Sequence, residues 1–136
     1  MQNAEMPNWF LQLTVPSHAR FVETVCELTG AVTSLTHCGS DDARDIAQAV
    51  NWTITRAVEA SAGNGREIQV RFERRNDALE IGVRFADREG AAAGAPDSCD
   101  AAQGGRDPLS HLMDRVEFSR EQDLIVCRMS RRLPRL

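Results

Sequence analysis

The sequence contains no lysine and no tyrosine, so arginine is the sole strongly basic side chain. The absence of lysine excludes phosphate binding by a Walker-type lysine, Schiff-base catalysis and the catalysis of the protein-kinase fold. Arginines number 16 against 20 acidic residues, giving a net charge of −4 and a pI near 5.4. Because nucleic-acid-binding proteins are normally basic, we expect no direct binding to nucleic acid.

Cysteine and histidine are too few and too scattered to predict a metal site. The four cysteines form no CxxC pair, and the adjacent His37 and Cys38 are poorly placed to bind one metal ion together. Cys26 and Cys127 fall in apolar patterns and are predicted to be buried. Cys38 and Cys99 fall in predicted loops, where a thiol can react.

Long apolar runs are also missing. The chain begins MQNAEMPNWF, which has no basic segment followed by an apolar one. We therefore expect neither a signal peptide nor a membrane span, and we expect a cytoplasmic protein with free thiols.

The first half of the chain is predicted to hold one strand and two helices. Alternating apolar residues predict a strand over 9–15. Ser17 is expected to cap a first helix that ends at Gly30, and a loop follows to Gly39. A second helix is expected to begin at Ser40. Its apolar positions recur at helical spacing: Ala43, Ile46, Ala47, Val50, Ile54, Ala57 and Val58.

The second half is predicted to hold two strand pairs separated by a long loop. Alternation over 68–73 and 79–85 predicts a hairpin with its turn at residues 76–77. Residues 86–106 are rich in alanine, glycine and polar residues and are expected to form a flexible, lid-like loop. The remaining predicted elements are a short helix beginning at Asp107 and Pro108, and strands over 117–119 and 124–130.

This order of elements predicts one α+β domain over residues 1–136. Strands and helices are mixed without regular βαβ alternation. We therefore expect a two-layer α/β sandwich, in which a mixed, mostly antiparallel sheet carries helices on one face.

Three stretches resemble the anti-sigma-factor serine kinases of the histidine-kinase-like ATPase superfamily, whose ATP site is the Bergerat fold. They are DIAQAVNWTITRAVEA at 45–60, EIQVRFERRNDALEIGVRF at 67–85 and QGGRDPLSHLMDRVEF at 103–118. The resemblance implies a regulator of transcription that uses ATP and Mg²⁺. It also implies a partner that is an anti-anti-sigma (STAS) domain protein or a sigma factor, and a possible homodimer.

The first chemical motif of that family pairs a Glu, as general base, with an Asn four residues later, as Mg²⁺ ligand. Here those positions hold Trp52 and Arg56. An indole cannot accept a proton, and a guanidinium cannot coordinate a cation. The departure predicts loss of the chemistry at this helix.

The two later motifs also depart from the family pattern. The Asp of D-x-G-x-G, which the resemblance assigns to adenine, is matched by Asp87 only after a two-residue shift, and the glycine that should follow is missing. The glycine-rich phosphate loop is matched at its start by Gly104, Gly105 and Arg106. Pro108 then removes a backbone donor.

These departures predict a pseudokinase that acts by protein–protein interaction, with no bound cofactor and no catalytic residue. The alternatives are an active ATP-dependent serine kinase, and a thiol or small-molecule sensor that uses Cys38 or Cys99. The degenerate nucleotide site would comprise Trp52, Arg56, Asp87, Gly104, Gly105 and Arg106.

Two groups of arginines each allow two interpretations. Arg56 either forms a cation–π pair with Trp52 on a solvated helix face, or joins it in plugging the nucleotide pocket, where it would contact an anion. The C-terminal arginines form either a solvated strand end or a patch for an acidic partner. They are Arg128, Arg131, Arg132 and Arg135.

Overall fold

The computed structural model describes residues 8–61, 66–86 and 108–133. Of the predicted loop over 86–106, all but Ala86 lies outside these ranges. The described elements are β1 (Trp9–Pro16), a 3-10 turn (Ala19–Phe21), α1 (Val22–Thr36), α2 (Ser40–Ala60), β2 (Glu67–Arg75), β3 (Ala78–Ala86), α3 (Leu109–Leu112), β4 (Arg115–Glu121) and β5 (Leu124–Arg132).

The strands form one five-stranded sheet in the order β1-β2-β3-β5-β4. All four described pairings are antiparallel, so the parallel pairing that a mixed sheet would require does not occur among them. The long helices α1 and α2 pack against each other, and α2 packs on β3. The predicted α+β two-layer sandwich is confirmed.

The core lies between α2 and the inward side of the strands. Strand residues alternate between the two faces of a sheet, so every second residue of β2 and β3 faces the helices. The apolar face predicted for α2 is confirmed at Ile46, Val50 and Ile54, which are almost wholly buried. The buried strand residues that they meet are Ile68, Val70, Phe72, Leu79, Ile81 and Val83.

The end predicted for the first helix is wrong. α1 continues through Gly30 to Thr36, and the predicted loop is mostly helix. Two buried threonines near Gly30 bond their hydroxyls within the helix. Thr29 donates to the carbonyl of Val25, and Thr33 donates to the carbonyl of Gly30. With these hydroxyls bonded to their own helix, the segment can be buried against α2.

The predicted helix caps are also corrected. Ser17 is buried, and its Oγ lies 2.5 Å from Oγ of Ser61, so it joins the end of β1 to the end of α2. The cap of the 3-10 turn is instead His18, whose Nδ1 accepts from the backbone N–H of Arg20. Gly39 is the N-cap of α2, and Ser40 is its first residue.

Candidate functional site

Trp52 and Arg56 meet on α2. They are one helical turn apart, so their side chains share a face. The guanidinium carbon of Arg56 lies 4.9 Å from the centroid of the Trp52 ring, which confirms the predicted cation–π contact. Both residues are half-buried, and Trp52 packs against the core. The Trp52–Arg56 stack is therefore attached to the core and is not a purely solvated pair.

The Trp52–Arg56 stack does not fit a magnesium ion. Mg²⁺ is held by oxygen ligands, and an indole and a guanidinium offer none. Moving the two motif positions back by one turn changes little, because they would then hold the exposed Gln48 and Trp52, and neither is a carboxylate. In either alignment the motif's glutamate position on α2 holds no carboxylate.

Thr53, which follows Trp52 on α2, is part of the core. Thr53 is buried, donates to the carbonyl of Ala49 at 2.8 Å, and lies with its Oγ1 3.7 Å from Sδ of Met129 on β5. Its hydroxyl is thus bonded within the protein.

The other predicted site residues lie outside the described residues. Asp87, Gly104, Gly105 and Arg106 fall between β3 and α3, so their meeting with the Trp52–Arg56 stack remains a prediction. The described ends of this connection are Ala86, which is buried at the end of β3, and Pro108, the N-cap of α3. Next to Pro108, Leu109 is fully buried, and α3 packs on α2.

Arg131 is a residue whose role the sequence interpretation missed. Both interpretations of the C-terminal arginines placed it in solvent, but its side chain is only 17% exposed. Its Nη2 donates to Asp42 at 2.6 Å, and its Nη1 donates to Asp45 at 3.0 Å and to the backbone carbonyl of Leu112. The guanidinium therefore joins β5 to the first turns of α2 and to the end of α3.

The alternating pattern of β5 indicates that Arg131 faces the helices. Ile125, Cys127 and Met129 face the helices, and the next position of that period is Arg131. Burial by itself lowers the pKa of Arg131, but hydrogen bonds and charge from Asp42 and Asp45 outweigh it and raise that pKa above its ordinary value.

The cysteines do not form a reactive cluster in the described part of the chain. Cys127 is buried, as predicted, whereas Cys26 is only half-buried. Burial, followed by the negative charge of Glu23, raises the pKa of the Cys26 thiol. Sγ of Cys38 lies 3.8 Å from the carbonyl of Thr33, and Cys99 lies outside the described residues.

The described residues contain neither a metal-binding cluster nor a membrane-spanning helix. Across residues 8–61, 66–86 and 108–133, no group of three or more His, Cys, Asp or Glu side chains is placed to hold a metal ion. Over the same residues, no helix is both long enough and apolar enough to span a membrane.

Comparison with known proteins finds similarity in structure. No protein-family model matches the chain, and no curated protein does. The crystal structure of the RsbU and RsbW domains of Rv1364c from Mycobacterium tuberculosis is similar, with a TM-score of 0.73 at 16% sequence identity. The match covers 96% of this chain and 34% of that one, so this chain spans about a third of its length. At this identity the likeness shows a shared two-layer α/β fold.

Proposed function

We propose that this protein is an anti-sigma-factor-like regulator that acts by binding partner proteins and does not phosphorylate them. The observation that carries the proposal is the Trp52–Arg56 stack. The scaffold of a kinase-like domain is kept, while the helix that would supply a base and a metal ligand presents an indole covered by a cation. A fold can keep a binding surface after its chemistry is lost, because function depends on the site.

The absence of a carboxylate at the position of the motif's glutamate argues against phosphoryl transfer. A kinase needs a group that orients the attacking hydroxyl or accepts its proton, and metal ions that neutralise the phosphates. The Arg56 guanidinium is a permanent cation, so it repels Mg²⁺ at the position where the metal would bind. We propose that ATP and Mg²⁺ are therefore not cofactors of this chain.

The proposed partner is an anti-anti-sigma (STAS) domain protein or a sigma factor. This part of the proposal rests on the sequence resemblance, and the shared fold supports it. The solved structure that is similar in fold contains an RsbW domain together with an RsbU domain.

A binding screen tests the proposal. The full chain is immobilised and exposed in turn to the STAS-domain proteins and sigma factors of its own organism, with Mg·ATP and with EDTA. We expect saturable binding of at least one of them, with the same dissociation constant in both buffers. The Arg56→Ala variant should bind with the same nucleotide independence. Failure to bind any candidate, or binding only in Mg·ATP, would contradict the proposal.

A further inference from the structure

The face of the sheet that points away from the helices has a glycine at its centre. Gly82 lies on the central strand β3, and its partners in register are Arg71 on β2 and Arg128 on β5. Glu117 on β4 is the next residue in the same line. The missing side chain leaves an open concavity of about 470 Å³, here called the Gly82 trough. The neighbouring line contributes Glu73, Glu80, Ser130 and Arg115 to its lining.

Neither the backbone nor the packing requires glycine at position 82. The strand pairings run without interruption through Gly82, so there is no bulge, and its φ lies outside the left-handed region. A Cβ built there meets no heavy atom of the described residues within 4 Å. Glycine weakens a strand interior, and in such places it often marks the close approach of a ligand or another backbone. The space above Gly82 thus suits an incoming group.

The two arginines that flank Gly82 differ in the contacts that they already make. Arg71 lies over the ring of Phe10, with its guanidinium carbon 4.1 Å from the centroid, and its Nε is 3.6 Å from Glu73. Glu73 is shared with Arg75, whose Nε lies 3.3 Å away, so it does not neutralise Arg71 alone. Within the described part of the chain, Arg128 forms no ion pair.

Arg115 adds a positive charge to the trough, whose lining contains four arginines and three glutamates. It too forms no ion pair among the described residues. Arginine binds carboxylates through two parallel hydrogen bonds, and a carboxylate above Gly82 would lie beside Arg128, its partner in register on β5. The exposed Phe10, with 56% of its surface in solvent, adds an apolar contact at one end of the site.

We propose that the Gly82 trough binds an acidic segment of a partner protein, with a carboxylate held by Arg128 above Gly82. Glu80 and Glu117 border the trough and repel any carboxylate that is out of register, so they contribute specificity. This inference deepens the proposed function, because it names the surface and the charge that a partner needs, and it rests on that function for the partner's identity alone.

A fluorescently labelled octaglutamate peptide tests the proposal by anisotropy at low salt. Gly82→Asp places a carboxylate of the protein's own in the trough, whereas Gly82→Asn fills the same volume without charge. We expect Gly82→Asp to weaken peptide binding at least about fivefold more than Gly82→Asn.

A pair of charge reversals on the same face completes the test. Arg128→Glu should weaken peptide binding about tenfold, which is the scale for reversing an exposed charge. Arg84→Glu is the matched control, because Arg84 is exposed on β3, outside the Gly82 trough, and lies 3.7 Å from Glu121. It should leave binding within about twofold of the original protein.

Three outcomes would overturn the proposal. They are no binding of octaglutamate, equal loss in Arg84→Glu and Arg128→Glu, and tighter binding of an oligothymidylate than of the peptide. The last would point to a nucleic-acid surface. If a STAS-domain protein or sigma factor binds the chain and Arg128→Glu leaves that binding intact, the proposed function stands and the proposed surface is wrong.

Discussion

At the scale of single residues, Arg131 shows how a charged side chain can be mistaken for a surface residue. Its position near the C-terminus, among other arginines, predicts solvent exposure. The structure instead turns it towards the helices, where Asp42 and Asp45 share its guanidinium. Asp42 lies in the first turn of α2, where its negative charge complements the helix dipole. Their bond to a residue nearly ninety positions later depends on the tertiary fold, which no local pattern encodes.

Removing the guanidinium of Arg131 should destabilise the protein. Arg131→Met keeps much of the buried stem but leaves two carboxylates and the carbonyl of Leu112 without their donor. We expect the free energy of unfolding to fall by about 1–3 kcal/mol, measured by urea denaturation. Arg132→Met is the control, since that side chain is exposed, and it should change stability by less than about 0.5 kcal/mol. Equal effects of the two variants would show that Arg131 adds nothing.

The Trp52–Arg56 stack should make a small, cation-dependent contribution to stability. Arg56→Ala removes the charge above the ring and should cost about 0.5–1 kcal/mol of unfolding free energy. Arg56→Lys keeps a cation and should lose less. The measurement is again urea denaturation, and identical losses for the two variants would mean that the ring contact contributes through packing alone.

Cys26 should react more slowly with alkylating reagents than free cysteine does. Its raised pKa means that less thiolate is present at pH 8, and the rate should increase as the pH rises towards that pKa. Glu23→Gln removes one cause of the shift and should speed the reaction, whereas Glu27→Gln, an exposed change on the same helix, should not. Peptide mass spectrometry after timed alkylation separates Cys26 from the other cysteines. A rate equal to that of free cysteine would contradict the expectation.

At the scale of elements, the sequence predicted those whose periodicity is strong. The apolar face of α2 extends over several turns. Apolar residues alternate along β2 and β3, and the turn between these strands contains Asn76, whose φ is 53°. Asparagine tolerates this left-handed conformation well. The sequence predicts too short an α1, because Gly30 and the threonines after it are typical of a helix end. An interior glycine costs a helix only about 1 kcal/mol, which the burial of Val32 against the core outweighs.

Replacement of Gly30 tests the revised end of α1. Gly30 is exposed, lies inside the helix, and has open space where a Cβ would stand. Gly30→Ala should therefore raise the free energy of unfolding by about 0.8–1 kcal/mol, measured by urea denaturation. A loss of stability would indicate that the helix ends at Gly30, as the sequence alone suggests.

The candidate site could be predicted only in part. The contact between Trp52 and Arg56 follows from helical spacing, and the structure confirms it. The rest of the predicted nucleotide site lies beyond the described residues. The Gly82 trough could not be foreseen, because Arg71 and Arg128 are far apart in sequence and become neighbours of Gly82 only through the order of the strands.

At the scale of the whole molecule, the two faces of the sheet differ in burial and polarity. One face is covered by helices and supplies the core, and the other presents arginines and glutamates to solvent around Gly82. An antiparallel sheet can expose one polar face without losing stability. Side chains on such a polar face can change while the core is kept, so the two-layer fold does not by itself imply one activity.

Our central proposal is that this chain binds partners without nucleotide chemistry, and calorimetric titration with Mg·ATP tests it most directly. We predict no saturable heat below millimolar ATP, because Trp52 and Arg56 stand where the sequence resemblance places a base and a metal ligand, and they offer neither a carboxylate nor an oxygen ligand. Micromolar affinity for Mg·ATP, with transfer of phosphate to a serine of a STAS-domain protein, would contradict the account.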